Sequence, residues 1–253
     1  LYKVQISNMW GDNMYSIEAV VRYSELNNNK EVSMSQIANY FQNCTLCHSE
    51  DIHMGFDYLE ECHRAWFLTG WQIEVSRVPV FNEKITIRTW PYDFNGVYGY
   101  RNFDIIDEAG NCIAWANSIW FYLDTLTLKP LRATPEDIAA YTLEDRIEMH
   151  YENRKIETIG EPIILEPFKI RKAYIDSNSH VNNTKYIEFA EEYLPDDFQE
   201  FMVRADYRRA TQVDELLHPR IYKYDNSFIV EFCGTDNHTN VIVEFRQRKQ
   251  EEL

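Results

Sequence analysis

Apolar and polar residues alternate near the start of the chain, with Tyr15, Ile17, Ala19, Val21 and Tyr23 on one side, the period of a half-buried strand. The period then lengthens. Ser33 and Gln36 have capping-box spacing, and Met34, Ile37, Ala38, Phe41 and Cys44 form the apolar face of a helix. Four strand-like runs follow, at Ala65–Val78, Lys84–Trp90, Tyr98–Asp107 and Cys112–Leu123, with a hairpin signal at Asp107 to Gly110. Thr134-Pro135-Glu136 reads as an N-cap, a proline in the first turn and an acid near the positive end of a short helix.

Residues 142–165 are charged and weakly patterned, and Gly160 and Pro162 mark them as a linker between a domain of residues 1–141 and one of residues 166–253. The same order then recurs. A strand over Phe168–Ile175 leads through a polar turn to a helix over about 183–194. More strands follow at Phe201–Arg209, Leu216–Tyr224, Phe228–Gly234 and Thr239–Phe245, with turns at Asp225-Asn226 and Asp236-Asn237. Each half runs strand, helix, four strands. A helix followed by an antiparallel meander buries itself by wrapping the sheet around the helix, an α+β arrangement.

Composition narrows the classes. The 253 residues suffice for two domains of ordinary size, and no apolar run is long enough to span a bilayer. With 25 basic against 41 acidic residues the net charge is −16, which disfavours generic nucleic-acid binding. An odd number of cysteines, five, in a chain able to bury its own core points to reduced thiols and a cytoplasmic setting.

The candidate chemistry lies in the second half, in Tyr174-Ile-Asp176-Ser-Asn178-Ser-His180-Val-Asn182-Asn183-Thr-Lys185-Tyr186. If the chain is extended here, Asp176, Asn178 and His180 point to one side. A helix begins immediately afterwards, with Asn182 or Asn183 as its cap and Tyr186, Ile187, Ala190 and Leu194 as its buried face. Its first N–H groups form a ready oxyanion site. A base, an orienting amide and backbone donors suit hydrolysis of an acyl bond, and an imidazole with an ordinary pKa near ~6.5 is a suitable base. A plain polar turn that caps the helix accounts for the same spacing.

The string Asp-x-Asn-x-His-Val-Asn-Asn-x-x-Tyr, met at Asp176 to Tyr186, resembles the second domain of the plant and bacterial fatty-acyl-acyl-carrier-protein (ACP) thioesterases. Trp66-Phe-Leu-Thr-Gly-Trp71, Glu74-Val-Ser-Arg77-Val-Pro79, Arg88-Thr-Trp90, Arg101-Asn-Phe103, Ser118-Ile-Trp120 and Thr127-Leu-Lys129-Pro130-Leu131 are similar to stretches of the first. The resemblance implies two fused hot-dog domains that hydrolyse the thioester of a fatty acyl-ACP. The first domain would hold the acyl chain and the second would carry the catalysis by Asp176, Asn178 and His180. Ile37, Phe41 and Cys44 on the first-domain helix are then candidates for chain-length control, with Asn182 and Arg208 as further substrate contacts. No metal or organic cofactor is implied. The fused halves supply the packing that single hot-dog domains gain by pairing, so a monomer or a homodimer is expected.

One departure stands out. Plant members read Tyr-Arg-Arg-Glu-Cys, with the Glu in the catalytic network, whereas this chain reads Tyr207-Arg208-Arg209-Ala210-Thr211. Asp206 shares the strand face of Ala210 about 13 Å away, and Glu188, Glu191, Asp214 and Glu215 are other acids nearby in sequence. Asp176 with His180 suffices, another acid substitutes, or activity is weak. The rivals are an acyl-CoA thioesterase and a non-catalytic acyl-binding protein. Arg204, Arg208, Arg209 and Lys185 offer positive charge to an acidic carrier, or balance neighbouring acids. Cys44-x-x-Cys47-His48 fits a haem-attachment pattern, and Cys62 with His63 extends it towards a zinc set. In an amphipathic helix the plain reading is two small packing residues.

Overall fold

A computed structural model describes residues 14–248. The ends of the two expected domains, before residue 14 and after residue 248, lie outside it. The described residues form two compact units. One runs to Leu68 and resumes over Ile73–Tyr151, and the other comprises Thr69–Gln72 and the chain from Glu152 onwards.

In the N-terminal unit β1 (Tyr15–Val20) leads through a 3-10 turn (Tyr23–Glu25) to α1 (Met34–Asp51) and a short α2 (Phe56–Glu61). Strands β2 (Arg64–Val75), β3 (Lys84–Asn95), β4 (Tyr98–Asp107), β5 (Cys112–Asp124) and β6 (Lys129–Pro130) follow, then α3 (Pro135–Ala139). The sheet order is β1-β3-β4-β5-β2, with β6 on β5, and β1 with β3, β3 with β4, β4 with β5 and β5 with β6 pair antiparallel. Ser33 caps α1 by accepting the Gln36 N–H, and Met34, Ile37, Ala38, Phe41 and Cys44 are all buried, on a helix that packs against β1 and β3. Phe41 meets Phe103 of β4 at 5.1 Å between ring centres. Thr134 and Asp137 close a capping box on α3, with Pro135 in its first turn.

In the C-terminal unit β7 (Ile163–Ile164), β8 (Phe168–Lys169) and a 3-10 turn (Lys172–Tyr174) precede α4 (Asn183–Glu191). Strands β9 (Glu200–Tyr207), β10 (Leu216–Lys223), β11 (Ser227–Cys233) and β12 (Thr239–Gln247) complete it. Thr69–Gln72 of β2 borders β9, and the order continues β12-β11-β10-β7, with β8 also on β10. Tyr186, Ile187 and Ala190 of α4 are buried, and the helix packs against β12.

The structure shortens several expected elements. β1 stops at Val20, and Tyr23 is exposed in the 3-10 turn, because the chain must turn before the α1 cap. The strand expected over Phe168–Ile175 is only Phe168–Lys169, for the same reason. α4 ends at Glu191, so Leu194 lies beyond it, half-buried. β3 instead runs on through Pro91 to Asn95, tolerating the proline at a shift of register between Pro91 and Asp93.

Between residues 142 and 165 the chain has no helix and the single short strand β7, yet it is packed. Within the N-terminal unit Trp90 Nε1 donates to the Asp145 carbonyl, and Asn102 Oδ1 accepts the Ile147 N–H and the Tyr151 hydroxyl. Within the C-terminal unit Arg154 pairs with Asp206, and Ile156 joins Tyr222, Ile229 and Ile242 in a buried apolar cluster.

The two units repeat one another hydrogen bond by hydrogen bond. Asn27 N donates to Glu31 O, and Asp176 N to His180 O. Leu26 bridges Val32, and Ile175 bridges Val181. Val21 N donates to Glu83 O, and Ile170 N to Glu215 O; Asn82 N donates to Val21 O, and Asp214 N to Ile170 O. Val80 N donates to the Glu83 carboxylate, and Gln212 N to that of Glu215. Asn82 and Asp214 both have positive φ, 65° and 70°. Ser76 and Arg77 donate to Ile113 O as Arg208 and Arg209 donate to Asn240 O.

A buried cation sets an acid limit on the N-terminal unit. Arg101, 6% exposed, donates from Nη1 to His48 Nδ1 (2.8 Å) and Thr89 Oγ1 (3.2 Å) and faces the Tyr141 ring. His48 accepts with an unprotonated nitrogen. Burial, and then Arg101, lower its pKa to about 4, against a smaller opposing pull from Asp51. The folded state therefore binds fewer protons than the unfolded chain between pH 6.5 and 4, and stability falls as pH drops through that window. The loss expected is ~3 kcal/mol. In urea titrations His48→Gln should flatten this slope relative to the native chain; an unchanged slope would exclude His48 as its source.

Candidate active site

Asp176 to His180 form a closed turn, correcting the extended geometry expected from their spacing. Asp176 N donates to His180 O (2.9 Å), Ser179 N donates to Asp176 O (3.1 Å), and Ser179 has φ 63°. The Asp176 carboxylate accepts the Asn178 N–H through Oδ1 (2.9 Å). A short acidic side chain that reaches the backbone two residues on favours this turn over a strand, and alternation of sides no longer applies. The turn brings Asp176 and His180 together at its ends, both half-buried, and leaves Asn178 exposed at its tip.

The exit of the turn is held on three sides. Val181 N donates to Thr211 O (2.9 Å), and Asn182 N donates to Tyr174 O (3.0 Å). Tyr207, at the end of β9, donates its hydroxyl to the carbonyl of Asn183 (2.8 Å). Asn182 is the cap, its Oδ1 accepting both the N–H and the hydroxyl of Thr184 at 3.0 Å. The Lys185 N–H goes to Asn182 O. With the Thr184 and Lys185 N–H groups engaged, the Asn183 N–H, which has no acceptor within the helix, is the donor that an oxyanion at this end would meet. Tyr186, one turn on, donates to Thr211 Oγ1 (2.7 Å). Burial, ahead of Glu215 and Asp176, pushes its hydroxyl up to about 12.

The charges expected near the site are engaged with acids. Arg204 pairs with Glu244 (2.6 Å), both nearly fully buried; Arg209 pairs with Asp236; Lys185 pairs with Glu188 (2.6 Å). Arg208 donates to Asp206 and to the Ile156 carbonyl. Of the acids considered as replacements for a Glu at position 210, Asp206 is wholly buried between Arg154 and Arg208, and Asp214 pairs with Lys169. Glu215 caps the Gln212 N–H. Ala210 is exposed, one residue before the carbonyl that holds Val181. Arg171, just before the 3-10 turn ahead of the site, and Lys172, its first residue, are exposed.

Ile37, Phe41 and Cys44 belong to the other unit and are fully buried. Cys44 directs its thiol at the Ile87 carbonyl, and burial pushes that thiol up to about 12, while Cys47 is exposed. Among the described residues no group of three or more His, Cys, Asp or Glu could hold a metal ion, and no helix is long and apolar enough to cross a membrane. Thr211 and Tyr207 were not singled out from the sequence. The repeated Asn82-Glu83 and Asp214-Glu215 pairs, each closing the segment after a strand, are the signal that locates them.

Residues 12–141 match the family model of the acyl-ACP thioesterase N-terminal domain, and residues 143–246 that of the C-terminal domain. The chain is 26% identical over 247 residues to oleoyl-acyl carrier protein thioesterase 2, chloroplastic, of Arabidopsis thaliana, covering 89% of this chain and 67% of that protein. It is 25% identical to the Coriandrum sativum oleoyl enzyme over 96% of this chain and 73% of the relative, and spans 62% of the length of Arabidopsis oleoyl thioesterase 1. Two solved structures share the fold. The acyl-ACP thioesterase from Bacteroides thetaiotaomicron superposes with a TM-score of 0.84 at 23% identity, over 92% of this chain and 97% of that one. The 12:0-ACP thioesterase from Umbellularia californica gives 0.81 at 18%, over 93% and 97%.

Removal of the cap tests the local geometry. Asn182→Ala should cost about 1 kcal/mol of stability, read from urea unfolding. Asn182→Asp or Asn182→Ser should retain most of it, and no loss on Asn182→Ala would mean the side chain does not hold the helix end.

Proposed function

The chain belongs to the acyl-ACP thioesterase family, with its α+β tandem hot-dog fold, and from that premise we propose that it hydrolyses the thioester of a fatty acyl-ACP to free fatty acid and holo-ACP. The observation that carries this reading is the turn at the capped end of α4. It holds a half-buried carboxylate and imidazole, whereas the matching turn of the other unit carries Asn27 and Glu31 at those places. Asn27 makes the same side-chain bond to the backbone two residues on, donated by Asn29. The turn therefore needs no carboxylate to form, and Asp176 and His180 add chemistry to a structure that stands without them.

In this proposal Asp176 or His180 takes a proton from water, and the exposed amide of Asn178 orients it. Asp176 Oδ1 is engaged by the Asn178 N–H, so Oδ2 is the oxygen open to the reaction. The water oxygen adds to the thioester carbonyl carbon, and the charge on the carbonyl oxygen meets the Asn183 N–H. Collapse breaks the carbon–sulfur bond, the carboxyl group forms, and the thiolate leaves with the proton. The domain of residues 1–141 holds the acyl chain, with Ile37, Phe41 and Cys44 bordering it, and residues 166–253 carry the reaction. The exposed Arg171 and Lys172 offer the carrier the positive charge that the four paired cations do not.

Ala210 favours a second reading, an acyl-binding protein without turnover. Thiol release from acyl-ACPs of about C8 to C18 and from the matching acyl-CoAs separates the readings. His180-dependent release, faster from ACP than from CoA, is expected, and His180→Ala should lower kcat at least ~100-fold. Release of equal rate from both carriers would favour an acyl-CoA enzyme, and binding without release the acyl-binding protein. Ala210→Glu, at an exposed position beside the turn, should raise kcat several-fold; an unchanged rate would mean that Asp176 with His180 suffices.

A further inference from the structure

The internal repeat provides a control for every residue behind the turn. In the C-terminal unit three hydrogen-bonding side chains converge on one point: the Tyr186 hydroxyl and Asn240 Nδ2 each donate to Thr211 Oγ1 at 2.7 Å. All three residues are at most 2% exposed. The matched hydrogen bonds of the two units place Ile37 where Tyr186 stands, Pro79 where Thr211 stands and Ile113 where Asn240 stands. Those three are buried and apolar. The same frame is thus built without a polar cluster, so the fold does not require one.

Keeping the polar version has a cost. Asn240 Oδ1 is buried and has no protein hydrogen-bond partner among the described residues, and an unpaired buried acceptor destabilises the folded state. Apolar residues of similar volume remove that penalty, as Ile113 does in the other unit. Thr211 is also the residue whose carbonyl holds Val181, next in sequence to His180. A polar cluster that the frame does not require, found at these matched positions only in the unit with the candidate catalytic turn and joined to the end of that turn, points to a role beyond packing.

We propose that Thr211, fixed by Tyr186 and Asn240, is a positioning residue: its hydroxyl locks the loop that carries its carbonyl, and through Val181 it sets where His180 stands against Asp176. The proposal rests on the hydrolase reading above. Thr211→Val keeps the side-chain shape and the carbonyl and removes the hydroxyl.

The expected result is a fall in kcat of about tenfold or more with KM within about twofold, since the group acts on the reacting geometry rather than on ground-state binding. Thr211→Ser, which restores the hydroxyl, should recover most of the rate. Tyr186→Phe should show a comparable loss, and the double variant should lose little more than the larger single one, because the two act through one oxygen. A folded Thr211→Val enzyme with native kcat would overturn the inference and leave the hydrolase reading intact. So would a loss of rate that only follows the unfolded fraction measured by circular dichroism. Absence of thiol release from the native protein would instead sink the hydrolase reading itself, and the positioning role with it. If Thr211→Val does not fold, Tyr186→Phe, which deletes a single oxygen, decides by the same criteria.

Discussion

The first N–H groups of a helix have no acceptor within it, and the way this chain satisfies most of them governs much of what surrounds the site. In both units a 3-10 turn reverses the incoming strand, a side-chain-to-backbone bond closes a five-residue turn, and a short polar residue caps the helix. Ser33 does this for α1 and Asn182 for α4. The segment after the following strand closes against the incoming strand and reaches the turn in the second unit through Thr211. The proposed oxyanion donor at the α4 terminus would be a by-product of this capping, because a cap satisfies only some of the free N–H groups. Proposed chemistry and local stability thus share the same few atoms.

Because the block is built twice, the differences between copies separate frame from function. Backbone bonds, positive-φ positions and the capping glutamates Glu83 and Glu215 agree. The differences fall at the turn, where Asn27 and Glu31 face Asp176 and His180, and behind it, where Ile37, Pro79 and Ile113 face Tyr186, Thr211 and Asn240. The N-terminal copy is apolar behind its turn, in keeping with a packing role. The C-terminal copy instead joins hydrogen-bonding side chains at those three positions.

Charge in the C-terminal unit follows a similar division. The face of β9 and β12 bearing Arg204, Asp206 and Glu244 is almost fully buried beneath the chain from Asn153 to Ile156, and its ions are paired. Removing one member would strand a buried charge, so these pairs fix how that segment lies more than they add net stability. Arg204 and Arg208 are thus tied into the fold by these pairs, while Arg171 and Lys172 stay exposed.

The sequence by itself determined the order of the main elements, the apolar face of α1 and most of that of α4, the Ser33 cap, a cap at Asn182 or Asn183 and the motif from Asp176 to Tyr186. These depend on residues three or four apart, or on a linear string, and local spacing carries them. Only the tertiary structure decided that Asp176 to His180 form a turn, because a side-chain bond to the backbone competes with extension and the winner depends on what closes around it. It likewise paired Arg208 with Asp206 and brought Thr211 and Asn240, both far along the chain, to Tyr186. The two bonds to Thr211 join residues 25 and 29 positions apart in sequence, where no periodicity reaches and packing alone sets the partner.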